Sequence, residues 1–141
     1  MKISIPIMIF MLCFCFKEIN AGKIKILVSN LDNAKGTIHY AIYNSPEFFP
    51  DEKGKLIGGF KNVSEVNKTG IVVNNLKESN YAVAIYHDQN SNNEFDTFLA
   101  IPIEKFGFSK NAEVFFGPPK FEEASIFVGE KDTVEIAIEL R

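Results

Sequence analysis

The strongest constraint on how this chain folds is a two-residue alternation of apolar and other side chains that returns in four separate runs. Residues 23–29 place Ile24, Ile26 and Val28 on one side, and residues 37–43 do the same with Ile38, Tyr40 and Ile42. Residues 81–86 put Tyr81, Val83 and Ile85 on one face and small Ala82 and Ala84 on the other. Residues 133–140 set Val134, Ile136, Ile138 and Leu140 against Thr133, Glu135 and Glu139. Only an extended strand with one face in a core uses that period. Shorter strand candidates lie at 60–63, 70–73 and 125–128, and no ten-residue segment after residue 22 carries a clear helical period. The turn-rich segment 31–36 between the first two runs predicts a hairpin. Segment 44–59, with two Pro and three Gly, reads as loop, and 74–80 reads as a turn. The stretch 88–123 is long and irregular, and such loops are functional or internally tied. His39, opposite Ile38, Tyr40 and Ile42, is expected to face solvent, and Ala82 and Ala84 suggest close approach of another layer. The architecture expected is all-β: an antiparallel β-sandwich of about seven strands with a long irregular capping loop. An open barrel is the competing arrangement.

The chain's 141 residues suffice for one domain, and 46% hydrophobic content allows a core without disulfides. A net charge of -3 with no basic cluster argues against a nucleic-acid partner. Lys2, the apolar run 3–16 and small Ala21 form the pattern of a signal peptide over 1–21, leaving a single domain over 22–141. A retained membrane anchor is the alternative. The expected destination is the periplasm or the medium. Both cysteines, Cys13 and Cys15, fall in that leader, so the remaining chain has neither thiol catalysis nor thiolate metal sites.

Chemistry concentrates after the third run. Asp88, Asn90, Asn92 and Asp96 stand at positions one, three, five and nine of a calcium loop, and Glu94 would offer its carbonyl at seven. Calcium takes six to eight oxygens, which a short loop supplies only by alternating its side chains around the ion. Asn93 fills the sixth position, where the backbone turn favours Gly, and Asn tolerates that conformation next best. Leu99 replaces the closing Glu of an EF-hand, so a weak site is expected, with Glu104 as the remote carboxylate that completes it. The competing reading is a polar turn whose Asp and Asn side chains bond their own backbone.

These residues also carry a resemblance. Tyr81 to Ala84, His87 and Asp88, Asn90, Asn92, Asp96, then Ile101-Pro102, Glu104, Gly107 to Ser109, Asn111, Gly117 to Pro119, Phe121 and Ala124 resemble the bacterial family known as domain of unknown function 2141. The resemblance implies an exported β domain, similar in outline to immunoglobulin-like or transthyretin-like sandwiches, with no established activity. Members commonly have Gly where this chain has Ser91, Asn93, Ala100 and Lys105.

Three functions follow as expectations. The first is a non-enzymatic binding or structural module with a calcium-ordered loop. The second is a binding domain for carbohydrate or a small apolar ligand, using the aromatic-rich segment 95–121 with Phe95, Phe98, Phe106, Phe108, Phe115, Phe116 and Phe121. The bland reading of those rings is a satellite core that pins the loop, with Phe48 and Phe49 as the exposed pair. The third is a hydrolase around His87, Asp88 and Glu104, which requires the three in one cleft. No motif supports an enzyme beyond that constellation.

Overall fold

The computed structural model describes residues 21–141. The leader expected over 1–21 therefore lies outside the described residues, Ala21 apart. The chain forms β1 (Gly22–Ser29), β2 (Thr37–Tyr43), β3 (Ile57–Asn62), α1 (Val63–Thr69), β4 (Ile71–Leu76) and β5 (Ser79–Asp88). It continues with two short pieces, β6 (Thr97–Phe98) and β7 (Ile101–Pro102), then β8 (Phe106–Phe108), α2 (Phe121–Ala124), β9 (Ile126–Val128) and β10 (Thr133–Glu139).

Two sheets form the sandwich. One has the order β10–β1–β4; the other runs β3–β2–β5–β8, with β9 pairing the start of β5. All pairings are antiparallel except β1 with β10, which run parallel from Lys23↔Thr133 to Ser29↔Glu139. The expected all-β sandwich is thus found, without closure into a barrel. The predicted β1–β2 hairpin is not: β1 and β2 belong to different sheets, so segment 31–36 crosses between layers instead of closing a ladder.

The alternating runs bury their apolar sides together. Ile24 and Ile26 of one sheet meet Ile38, Ile42, Val83 and Ile85 of the other, and Val63 and Val66 of α1 close one margin. Ten of the most buried side chains in this core are branched aliphatics, which pack well on pleated surfaces. β3 starts earlier than expected because Gly58 and Gly59 are strand residues, not loop residues. Gly59 lies under Tyr40 and Gly58 under the stem of Lys55, where an added Cβ would come within 2.8 Å and 2.5 Å of them.

Candidate functional site

The second face of the β3–β2–β5–β8 sheet is not covered by another layer along its middle. The register explains why. Phe60, His39, Tyr86 and Phe106 are successive cross-strand partners and form one aromatic row across four strands. Two residues along, the partners are Gly58, Ala41, Ala84 and Phe108. Side chains of paired residues rise from the same face, so the first row is a wall and the second a shallow floor ending at Phe108. The opposite bank holds Tyr43 and Pro50, with Phe49 packed edge-on against Tyr43, Phe108 and Phe121 behind it. The result is a trench of about 710 Å³ running across the strands. That volume is in the range of small-molecule sites.

The rings of the wall are stacked on one another. His39 lies between Phe60, at 5.1 Å and 26°, and Tyr86, at 4.7 Å and 14°. His39 thus has a ring on each of its faces, and the edges of the three stacked rings are turned toward the trench and solvent. His39 was expected in solvent; its side chain is instead largely enclosed, because the face opposite Ile38 and Ile42 carries its own aromatic cover. Phe95 adds height to the wall against Tyr86 (5.1 Å) and Phe106 (5.7 Å). Lys55 and Glu52 form an ion pair at the β3 end. The phenol of Tyr43 donates to the Pro50 carbonyl at 2.7 Å. Burial pushes the Tyr43 phenol up to about 12, with Glu52 and Asp51 adding to it. Burial likewise lifts Tyr86 to about 12, reinforced by the carboxylates of Asp88, Glu104, Glu52 and Asp96.

The polar loop 88–96 stands at the end of this wall. Asp88 is fully buried, and its Oδ1 and Oδ2 accept the backbone N–H groups of Asn92 (3.2 Å) and Asn93 (2.8 Å). Asn90 Oδ1 accepts Asn92 N–H, and Asn92 Oδ1 accepts Glu94 N–H. The side-chain amides of Asn90 and Asn92 donate to Asp96. Glu104, also buried, accepts Gln89 N–H and Asp96 N–H and so ties the two ends of the loop together. Asp88, Asn90, Asn92, Asp96 and Glu104 are therefore brought to one place, as the spacing implied, while the Glu94 side chain is exposed. Among the described residues, no group of three or more His, Cys, Asp and Glu side chains is arranged to hold a metal. The loop's oxygens come as much from amides as from carboxylates, and they face N–H donors. Ser91, Asn93 and Ala100 have φ of 58°, 63° and 64°. At such a φ a Gly would sit without strain, and these are three of the four positions where the resemblance implies Gly.

His87 and Asp88 are consecutive strand residues and leave opposite faces. His87 Nε2 hydrogen-bonds the Lys35 carbonyl at 2.7 Å on the inner side, and no hydrogen bond among the described residues joins it to Asp88 or Glu104. Asp88 instead meets His39: Nε2 to Oδ2 is 3.3 Å, an ion-pair distance without hydrogen-bond angle. A diagonal cross-strand contact between residues 49 positions apart is invisible to local pattern, and no signal in the sequence would have found it. The aromatic segment divides. Phe108 and Phe121 are buried and Phe95 and Phe106 line the trench, whereas Phe98, Phe115 and Phe116 are exposed. Of the expected exposed pair, Phe48 is open with Lys53 over its ring, and Phe49 is half-buried.

No helix among the described residues is long and apolar enough to cross a membrane. A family model described as "uncharacterized protein conserved in bacteria (DUF2141)" matches residues 26–136. No curated protein and no solved structure matches the chain.

Proposed function

Since the chain belongs to the DUF2141 family, a bacterial group of uncharacterised proteins, we propose a function from its geometry: an exported, non-enzymatic module that binds a small ligand in the trench. The observation that carries this reading is the uncovered row Gly58–Ala41–Ala84 between aromatic banks. A sheet face meant only for stability would bury such rings under another layer, and one meant only for solvent would carry polar side chains. The loop 88–96 belongs to the same site, because Asn93 and Phe95 line the trench. Export rests on Lys2 and the apolar run 3–16. The test is titration of the purified protein with a panel of flat and sugar-like molecules, followed by amide NMR. Ligand-dependent shifts confined to residues around Ala41 and Ala84 support the reading, and no saturable shift at millimolar concentration removes it.

A second reading places calcium at the loop, and a specific observation favours it. Asp88, Asp96 and Glu104 meet there, and their hydrogen-bond partners are all neutral amides or backbone N–H groups. Three carboxylates without a lysine or arginine partner, two of them buried and Asp88 facing only the imidazole of His39, concentrate negative charge that a hard cation would neutralise. Asp88, Asn90, Asn92, Asp96 and Glu104 would hold it, with the Glu94 carbonyl. With Kd in the 10⁻⁴–10⁻³ M range, about ten millimolar calcium would stabilise the fold by roughly 1.4–2.7 kcal/mol. Thermal unfolding in chelator and in calcium checks this. A rise in Tm that Asp96→Ala removes supports it, and an unchanged Tm leaves a self-bonded polar turn.

A further inference from the structure

The trench has a chemical direction. Its floor is apolar and small, from Gly58 through Ala41 to Ala84. In the middle of its wall His39 is stacked between Phe60 and Tyr86, so the edges of these rings border the cavity. The edge of an aromatic ring carries the positive part of its quadrupole and attracts either the electron-rich face of another ring or a negative oxygen.

The charges at the β3 end point the same way. Among the described residues, Lys55 and Glu52 are the only Lys, Arg, Asp or Glu lining the trench, and they are not equally placed. Lys55 is held in: its side chain is 28% exposed, and its stem runs so close over Gly58 that an added Cβ would meet Cδ at 2.5 Å and Nζ at 3.1 Å. Glu52 is 82% exposed and hangs from the rim. A ligand carboxylate can therefore replace Glu52 at Lys55 without leaving a buried charge behind. From Gly58 to Ala84 the floor spans two inter-strand spacings, roughly 9.5 Å, the length of a fused two-ring acid.

We propose that the trench binds a planar aromatic carboxylate of one or two rings, the ring standing over Ala41 and Ala84 against the edges of His39 and Tyr86, the carboxylate on Lys55. This rests on the trench being a ligand site and adds the ligand's class. A sugar would set most of its hydroxyls against an apolar floor and ring edges, where they lack partners, with Lys55, Glu52 and Asn93 among the polar groups at the margins.

The test uses 2-naphthoate, its neutral counterpart 2-naphthalenemethanol, and cellotriose, titrated into the purified protein by calorimetry and amide NMR. 2-Naphthoate is expected to bind saturably and about five-fold tighter than the alcohol, an advantage of the size an exposed charge pair gives. Lys55→Gln should erase that advantage, and Glu52→Gln, which releases Lys55, should increase it. Ala84→Leu should weaken 2-naphthoate by about ten-fold or more with Tm and spectrum retained; where that variant fails to fold, Ala41→Leu fills the same floor. Equal binding of acid and alcohol, untouched by Lys55→Gln, overturns the carboxylate assignment while leaving a ligand trench in place. Binding of cellotriose alone also overturns it, in favour of a sugar site. No binding of any of the three overturns both this inference and the trench reading.

Discussion

The two faces of β2 and β5 are built from interleaved residues of the same strands, yet they end in opposite states. On the inner face Ile38, Ile42, Val83 and Ile85 are sealed against the second sheet. On the outer face the residues between them, Ala41 and Ala84, stay partly open between aromatic banks. Register is common to both faces, so strand pairing is not the cause. Side-chain volume is. Branched aliphatics on one side interdigitate with a facing layer. On the other side two alanines and a glycine lie between rings tall enough to hold a layer off. What remains is a cavity with a defined wall, and the same hydrogen-bond ladder supports a core and a site back to back.

The sharpest way to break that contrast is on the sealed side. Ile42→Ala is expected to destabilise by about 2–5 kcal/mol, the range for a buried aliphatic truncation that leaves a cavity. Denaturant unfolding measures it, and a loss under about 1 kcal/mol would mean that the inner face is not close-packed. Next comes a polar outer-face position that is sealed as tightly as the core. Asp88→Ala deprives Asn93 N–H of its acceptor and Asn92 N–H of one of its two, and should cost about 1–3 kcal/mol. Chelator should leave that loss in place, since the bonds are internal to the loop.

A smaller effect is expected in alkali, and it comes mainly from two tyrosines of the outer face. Tyr43 and Tyr86 hold their protons up to about 12, whereas the unfolded chain releases them near 10. The folded state thus binds more protons than the unfolded state in that window. Stability from this source is complete below pH about 10 and falls as pH rises from about 10 through about 12. Unfolding free energy against pH, with phenolate absorbance as the count of ionised rings, should show the fall, and Tyr86→Phe should reduce it. The smallest change is predicted for Ala41→Leu, within about 0.5 kcal/mol of the parent. Bulk added there enters open space. A loss of 1–3 kcal/mol, the cost of overpacking, would show the trench to be closed.

Much of this arrangement was legible in the alternation. The run 37–43 is β2 to the residue, and the runs at 23–29, 81–86 and 133–140 fall within or nearly match β1, β5 and β10. A half-buried strand writes its face into local order, and the loop 88–96 wrote its oxygens there too. What the pattern could not carry is which strand lies beside which. The turn at 31–36 looks like a hairpin because a sheet-to-sheet crossing uses the same residues. Helix α1 has seven residues, too few for a period to repeat, and opens on the β-branched Val63. Ala82 and Ala84 gave the signal of a close approach, but only the pairing separates them: Ala82 lies buried with Tyr43 and Phe121, and Ala84 floors the trench. The aromatic row Phe60–His39–Tyr86–Phe106 draws on four strands, and no window of sequence contains it.

The parallel pairing of β1 with β10 has a mechanical meaning. The chain enters the domain at one end of this pair and leaves it at the other, beyond Glu139. Tension applied through the two ends of the chain would pull the strands past each other along their length, loading the seven aligned pairs from Lys23↔Thr133 to Ser29↔Glu139 together instead of peeling them one at a time. Stretched between its termini, the domain should resist as a single unit and yield in one abrupt step, at a force well above that needed when it is pulled across β5 and β8, whose three pairs open in sequence.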